Sequence, residues 1–95
     1  IRTEYERLGG PSGTLGWPLG GDQCGLIGGG CLQNFEHGTI LYSPATGTWT
    51  VTESMYSRYE DAGGLAGPLG YPVANELCTA GSCTQQFQNG TLTNP

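Results

Sequence analysis

The tetrapeptide Leu-Gly-aromatic-Pro occurs twice in this chain, first at residues 15–18 and again at residues 69–72. A self-alignment shifted by 54 positions (15 to 69) also matches the flanking residues, including Tyr5 with Tyr59 and Cys24 with Cys78. Such a period is typical of repeat proteins, in which one unit cannot bury its apolar face alone. We therefore predict one small α+β domain over residues 1–95. It comprises repeat one (1–53) and a truncated repeat two (54–95), related by pseudo-twofold symmetry.

Each repeat is expected to contain a short helix, a Gly/Pro loop and a β-hairpin. The apolar helix faces are formed by Ile1, Tyr5 and Leu8 in repeat one and by Met55, Tyr59 and Ala62 in repeat two. Ser54 stands where the second N-cap is expected, and Gly9 and Gly63 offer left-handed helix ends. Helices of about two turns are unstable alone in water, so both must pack on the rest of the chain.

The hairpins are predicted from alternating runs around His37-Gly38 and Asn89-Gly90. Asn-Gly is a strong hairpin signal because both central residues of a type I′ turn need positive φ. A third strand over residues 48–51 is expected in repeat one only, since repeat two stops at Pro95. The sheet edges left unpaired would favour association with another copy or with a parent protein.

The proline of each tetrapeptide should fix the direction of the aromatic side chain before it. Proline pushes the residue before it into extended geometry, so Trp17 and Tyr71 are each held in one direction. We expect both side chains to act as wedges between helix and hairpin. If either contacts a ligand, the two should do so in equivalent ways.

Composition narrows the possible functions. Eight acidic residues and three arginines give a net charge of −5, so nucleic acid and anionic membranes are poor partners. The acidic residues are scattered, which favours a role in solubility over an acidic docking patch. No apolar run is long enough to span a bilayer and no signal-like start is present, so we expect a mature or excised fragment.

Four cysteines in a short chain indicate covalent support for a small core and an oxidising compartment. They occupy matching places in the two repeats, which favours the local pairs Cys24 with Cys31 and Cys78 with Cys83. The alternative is a tetrahedral zinc site. Its usual Cys-x2-Cys spacing is absent and the single histidine lies elsewhere, so we expect neither a metal nor a cofactor.

No catalytic constellation is apparent. His37 has Asn89 as its counterpart, and both residue types tolerate turn conformations, which favours a structural role. The sequence has no Gly-x-Ser-x-Gly elbow, and no nucleophile has an evident base. We therefore expect a chain that is not itself an enzyme.

Several side chains have the chemistry of sugar contacts. Aromatic side chains present flat faces that a sugar ring can cover, although most aromatics in a small domain belong to the core. Asp22 and Glu76 share one repeat position and either cap a loop or bind a hydroxyl. Gln33 and Gln85 pose the same choice. The candidate glycan-binding residues are Trp17, Tyr71, Asp22, Glu76, Trp49 and Tyr42.

The ordered motifs resemble the LGFP repeat of actinobacterial cell-envelope proteins. They are Leu-Gly-[Trp/Tyr]-Pro, then Gln-x-Phe-x-x-Gly-Thr-[Ile/Leu], then Tyr-Ser-Pro-x-Thr-Gly-x-Trp-x-Val. Repeat one matches throughout residues 1–53, and repeat two matches over residues 54–92. Two features depart from the family pattern: Trp17 and Tyr71 replace the usual Phe, and the four cysteines are additional.

The resemblance implies a secreted, cell-wall-associated and non-catalytic module. It implies binding to arabinogalactan or peptidoglycan, as an accessory domain attached to or associated with a secreted hydrolase or transferase. The alternative is a structural or protein-interaction domain that associates with a catalytic partner or with itself. Neither reading implies nucleic-acid binding or membrane insertion.

Overall fold

The computed structural model describes residues 2–94, and side chains from Thr3 onward. Helix α1 spans Arg2–Arg7, and helix α2 spans Glu53–Asp61. The strands are β1 (Gln23–Cys24), β2 (Cys31–Phe35), β3 (Gly38–Ser43), β4 (Gly47–Thr52), β5 (Leu77–Thr79), β6 (Ser82–Phe87) and β7 (Gly90–Asn94). Short 3₁₀ turns cover Gly10–Ser12, Ile27–Gly29 and Gly64–Ala66. None of the helices among these residues is long and apolar enough to cross a membrane.

The strands form two antiparallel sheets, ordered β1-β2-β3-β4 and β5-β6-β7. The third strand of repeat one is present as β4, two residues longer than predicted. Within residues 2–94 repeat two has no counterpart of β4. The predicted α+β class is confirmed, while the pseudo-twofold relation and the division at residues 53 and 54 stay predictions.

Two apolar clusters lie on opposite sides of β3. Ile40 packs with Leu15 and Phe35, against which Tyr5 and Leu8 from the N-terminal segment also pack. Leu41, the next residue, belongs to a larger cluster with Val51, Met55, Tyr59, Tyr71 and Phe87. Because successive strand residues point to opposite faces, β3 contributes to both clusters. Repeat two therefore buries its core against one face of the repeat-one sheet.

The helix ends agree with the prediction, but the second helix start does not. Gly9 and Gly63 have φ of 101° and 108°, the left-handed conformation expected after each helix. The N-cap of α2 is Thr52, and Ser54 lies inside the first turn, so the Ser54 assignment is wrong. The N–H of Glu53 donates to the carbonyl of His37, and the helix starts two residues earlier than predicted. Ile1 lies outside the described residues.

The hairpin turns are also placed differently. Phe35 pairs with Gly38 and Phe87 pairs with Gly90, so the loops are Glu36-His37 and Gln88-Asn89. Ala80 is the non-glycine residue with positive φ among the described residues, so His37 and Asn89 do not form the predicted type I′ turns. Gly38 and Gly90 lie in strands. A Cβ on Gly38 would lie 2.8 Å from Leu15 Cδ2, and one on Gly90 would lie 2.7 Å from Leu69 Cδ2.

The cysteines form the two local disulfides that were predicted. Cys24 joins Cys31, closing the loop between β1 and β2, and Cys78 joins Cys83, closing the loop between β5 and β6. Loops this short lose little chain entropy when closed, so each bond contributes about 2 kcal/mol in the entropic model.

Candidate functional site

The two tetrapeptides have the same backbone geometry. Gly16 and Gly70 both have a φ of 77°, a value that disfavours other residues. In each tetrapeptide, the backbone N–H of the residue after the glycine donates to a side chain of the hairpin loop. Trp17 N donates to Glu36 Oε1 at 2.9 Å, and Tyr71 N donates to Gln88 Oε1 at 3.0 Å. Each tetrapeptide is thus anchored to the loop of its own hairpin.

The aromatic residues that follow have different surroundings. Trp17 is 63% exposed, whereas Tyr71 is 4% exposed. Tyr71 packs in the larger cluster, and its hydroxyl donates to the carbonyl of Ile27 in repeat one. The prediction of two equivalent wedges is therefore wrong. Leu15 fills the position between helix and hairpin in repeat one, and Tyr71 joins the two repeats.

The contact with Tyr71 explains a glycine in the disulfide loop of repeat one. A Cβ on Gly30 would lie 2.1 Å from the Tyr71 hydroxyl oxygen. No larger residue fits while the Tyr71 hydroxyl stays at Ile27. The loop closed by Cys24 and Cys31 thus receives the tetrapeptide of the other repeat.

Repeat two holds the edge of β4 through three side chains, which we call the β4 clamp: Asn75, Glu76 and Gln85. Thr50 N donates to Asn75 Oδ1 at 2.8 Å, and Gln85 Nε2 donates to Thr50 O at 3.0 Å. Thr52 Oγ1 donates to Glu76 Oε1 at 2.7 Å. The clamp satisfies edge groups that a further strand would otherwise pair with.

Gln85 is the most buried member of the clamp, at 1% exposure. Its Nε2 also donates to the carbonyl of Ala74 at 2.8 Å, so one amide ties the hairpin, the tetrapeptide loop and β4 together. Its Oε1 is buried without a hydrogen-bond partner among the described residues. An unpaired buried oxygen carries a desolvation cost, which the two donated hydrogen bonds offset.

A groove of about 670 Å³ lies on repeat one, and we call it the repeat-one groove. Its lining residues are Tyr5, Pro18, Asp22, Cys31, Gln33, Phe35, Tyr42 and Thr48. Gln33 Nε2 donates to the carbonyl of Gly20 at 2.9 Å, which fixes the amide at the groove wall. Asp22 is exposed, and Tyr42 is half-buried.

The structure brings together only part of the predicted glycan-binding set. Asp22 and Tyr42 line the groove, and the exposed Trp17 directly precedes Pro18 of its wall. Tyr71 and Glu76 are engaged between the repeats. Trp49 is half-buried, and its indole N–H donates to the carbonyl of Thr46.

Sequence reasoning missed Asn75 and the groove wall residue Pro18. Asn75 has Gly21 as its counterpart, so comparison of the repeats gives no signal for it. Gln33 and Gln85 are a matched pair in the sequence, but the buried contact of Gln85 with Thr50 depends on the neighbouring repeat and not on its own unit.

The charged groups nearby have structural partners. Arg7 donates to both carboxylate oxygens of Glu4, at 2.9 and 2.6 Å, and this hydrogen bonding lowers the pKa of Glu4. Thr50 Oγ1 donates to the same carboxylate at 3.3 Å. Burial, with a smaller effect from Glu36, raises the pKa of the Tyr5 phenol in the groove wall. Glu4 is therefore an ionised structural acceptor, and Tyr5 is a neutral wall residue.

One group of side chains has the spacing of metal ligands. Ligand atoms of Glu76, Cys78 and Cys83 lie within 4.8 Å of one another. The two sulfurs are joined in a disulfide, which cannot act as a thiolate pair, and Glu76 accepts the Thr52 hydroxyl. These three side chains therefore make structural contacts, a disulfide and a hydrogen bond to β4.

The LGFP repeat family model matches residues 15–67, which is more than half of the 95 residues. The chain belongs to the LGFP repeat family. The matched segment of the LGFP repeat runs from the first tetrapeptide through the four-stranded sheet and α2. The match therefore includes β4 and the direct connection from β4 into α2. No curated protein matches the chain.

Proposed function

We propose that this LGFP repeat chain is a non-catalytic, secreted module that binds cell-wall glycan. Its ligand is arabinogalactan or peptidoglycan, and it attaches an associated secreted hydrolase or transferase to the envelope. The observation that carries the proposal is the exposure of Trp17, whose counterpart Tyr71 is buried. Membership of the LGFP repeat family supports it.

Trp17 suits a sugar ring because it is exposed on a fixed backbone. The backbone N–H of Trp17 donates to Glu36 Oε1, and the backbone carbonyl of Trp17 accepts the N–H of Glu36 at 3.0 Å. Aromatic rings provide large apolar contact areas with little side-chain freedom to lose, which lowers the entropic cost of binding. The exposed Glu36 carboxylate next to this backbone is an acceptor for a sugar hydroxyl.

The proposal assigns one glycan site per chain, on repeat one. Tyr71 and Glu76 hold the two repeats together, and Trp49 is bound to the Thr46 carbonyl, so none of the three serves as a ligand contact. Asp22 and Tyr42 open into the repeat-one groove, for which a different ligand is argued below.

The test is retention of the purified chain on insoluble arabinogalactan and on peptidoglycan. We expect the wild type to be retained on one of them and Trp17→Ala to weaken that retention by about tenfold, because an aromatic stacking contact is lost. Leu77→Ala is the matched control, since it removes an equally exposed apolar side chain from repeat two. Absence of wild-type retention on both polysaccharides contradicts the proposal, and so does equal loss in the two variants.

A second function is favoured by the β4 clamp, which shows one repeat binding another through side chains. In this reading the chain is a structural or protein-interaction domain that associates with a catalytic partner or with further repeats. Its pseudo-twofold arrangement belongs to the same proposal and is supported by contacts that recur in both units, such as Tyr5 hydroxyl to Gly16 O and Tyr59 hydroxyl to Gly70 O. Failed glycan retention together with the strand binding described next would favour this second function.

A further inference from the structure

We propose that the repeat-one groove binds an extended polypeptide strand of the β4 type, supplied by a further LGFP repeat unit. The ligand is distinct from the glycan proposed for Trp17. Residues of the β4 clamp and of the groove occupy matching positions in the two repeats.

Two members of the clamp have counterparts in the groove. Gln85 matches Gln33, and each donates Nε2 to the carbonyl of the matching loop residue, Ala74 or Gly20. The amide of Gln33 is therefore held as the amide of Gln85 is held. Among the described residues, Gly20 O is the acceptor found for Gln33, whereas Gln85 has a second acceptor in Thr50 O.

The remaining contacts follow the same match. Glu76 accepts the Thr52 hydroxyl, and its counterpart Asp22 is an exposed carboxylate in the groove. Pro72 is fully buried, and its counterpart Pro18 is exposed in the groove wall. The groove of repeat one is thus the open form of a surface that β4 covers in repeat two.

The chemistry of the groove selects a strand edge. An edge strand presents backbone N–H and C=O groups at regular intervals, and added strands bind through such groups. In β4, Gln85 binds the carbonyl of Thr50 and Glu76 binds the hydroxyl of Thr52, two residues further along the strand. Gln33 and Asp22 offer the complementary donor and acceptor.

The occupant comes from outside this pair of repeats. The β4 strand of the chain is already held by its own repeat two, so the edge that β4 offers is occupied. The ligand is therefore the corresponding strand of another repeat unit, with a hydroxyl residue two positions after the bound carbonyl.

One clamp contact is missing from the groove and provides a sharp test. Asn75 has Gly21 as its counterpart, so the groove lacks the acceptor for the strand N–H. A Cβ on Gly21 meets no atom within 4 Å, and the residue does not have positive φ. Gly21→Asn should therefore restore the third contact without strain.

The experiment is NMR titration of the full chain, labelled with ¹⁵N, with a capped synthetic peptide of the sequence of residues 47–52. We expect the peptide to shift the Gln33 side-chain amide signals and the backbone signals of Leu19 and Asp22. Gly21→Asn should tighten binding by about fivefold, and Gln33→Ala should weaken it by about fivefold, the effect of one net hydrogen bond. Gln86→Ala, an exposed amide of repeat two, is the matched control.

A second peptide, with valine in place of the threonine of position 52, should bind more weakly because it lacks the hydroxyl for Asp22. Asp22→Ala should abolish the difference between the two peptides and serves as the second variant if Gln33→Ala does not fold. Equal affinity of wild type, Gly21→Asn and Gln33→Ala would overturn the proposal. Shifts of Gln33 caused by an arabinogalactan or peptidoglycan oligosaccharide, with no response to the peptide, would do so too and assign the groove to glycan.

Discussion

The strand position of Gly38 requires a glycine because Leu15 of the first tetrapeptide packs closely against it. A Cβ at this position would lie 2.7 Å from the carbonyl oxygen of Val51 and 2.8 Å from Leu15 Cδ2. At the matching Gly90 the close neighbour is Leu69 Cδ2 alone, a flexible side-chain end. The first glycine is thus constrained by backbone and the second by a movable methyl group.

We expect Gly38→Ala to lower the free energy of unfolding by about 1–3 kcal/mol, as overpacking does in a tight core. Gly90→Ala should cost less, because Leu69 can change rotamer. Gly20→Ala is the control, since its Cβ meets no atom within 4 Å and its φ is not positive. Urea denaturation of the three variants gives the comparison, and a ranking with Gly90→Ala or Gly20→Ala as the most harmful would contradict the packing argument.

The sequence predicts which residues matter better than it predicts their roles. The sequence pattern identifies Gly38, Gly90 and the matched cysteines, but it predicts turns for the two glycines, which lie in strands. A glycine needed for positive φ and one needed for close approach look the same in a sequence. The contact that distinguishes them involves Leu15 or Leu69, which lies about 20 residues earlier in the chain and is brought near only by tertiary structure.

Among the elements, strand β4 determines how the repeats meet. Its backbone at Thr50 is bound by the side-chain amides of Asn75 and Gln85 in place of a neighbouring strand. Thr52 occupies the N-cap position of α2, although its hydroxyl donates to Glu76 and not to the helix backbone, so the same short segment contacts Glu76 and leads into α2. The position of repeat two is therefore set at this strand.

Gln85→Ala should lower the free energy of unfolding by about 2–4 kcal/mol, because it leaves the carbonyls of Thr50 and Ala74 unpaired and opens a cavity. Gln33→Ala is the matched control. It removes the equivalent hydrogen bond to Gly20 from a half-buried site, and we expect a loss of about 1 kcal/mol. Thermal or urea unfolding measures both, and similar losses in the two variants would show that the contact with β4 contributes little.

The elements themselves were largely predictable, whereas the candidate site was only partly so. Alternating residues and cysteine positions indicated the hairpins, β4 and both disulfides, because these depend on local pattern. The different fates of Trp17 and Tyr71, and of Asp22 and Glu76, could not be read from repeats that look alike. Whether one of these side chains is buried depends on whether another repeat covers it, and the sequence of a single repeat does not specify that.

Across the whole molecule, the larger core contains several tyrosines with neutral phenols. Burial, with a smaller effect of Glu60, raises the pKa of Tyr56 from 10.0 to about 12. Burial also raises the pKa values of Tyr59 and Tyr71. Tyr59 stacks on Phe87 with ring centroids 4.7 Å apart, so an ionised phenol there would disturb the centre of the domain.

Stability should therefore fall at alkaline pH. These groups keep their protons longer when folded, so their contribution is complete below the unfolded pKa near 10 and is lost as pH rises toward the folded values. We expect the free energy of unfolding to decrease above about pH 10, with a shallower slope in Tyr71→Phe because one group with a raised pKa is removed. Urea titrations at increasing pH, with tyrosinate absorbance, measure this. Ionisation of all the tyrosines near pH 10 in the folded chain would contradict it.

The direct passage from β4 into α2 has a consequence for how such genes change in copy number. Strand β4 ends at Thr52 and is held by Gln85 of the second hairpin, and α2 begins at the next residue. Duplicating a segment of one period thus copies a strand to be held and a surface that holds it in a single genetic step. Because units of a repeat protein contact their neighbours only, each new junction can reuse a contact that selection has already tested.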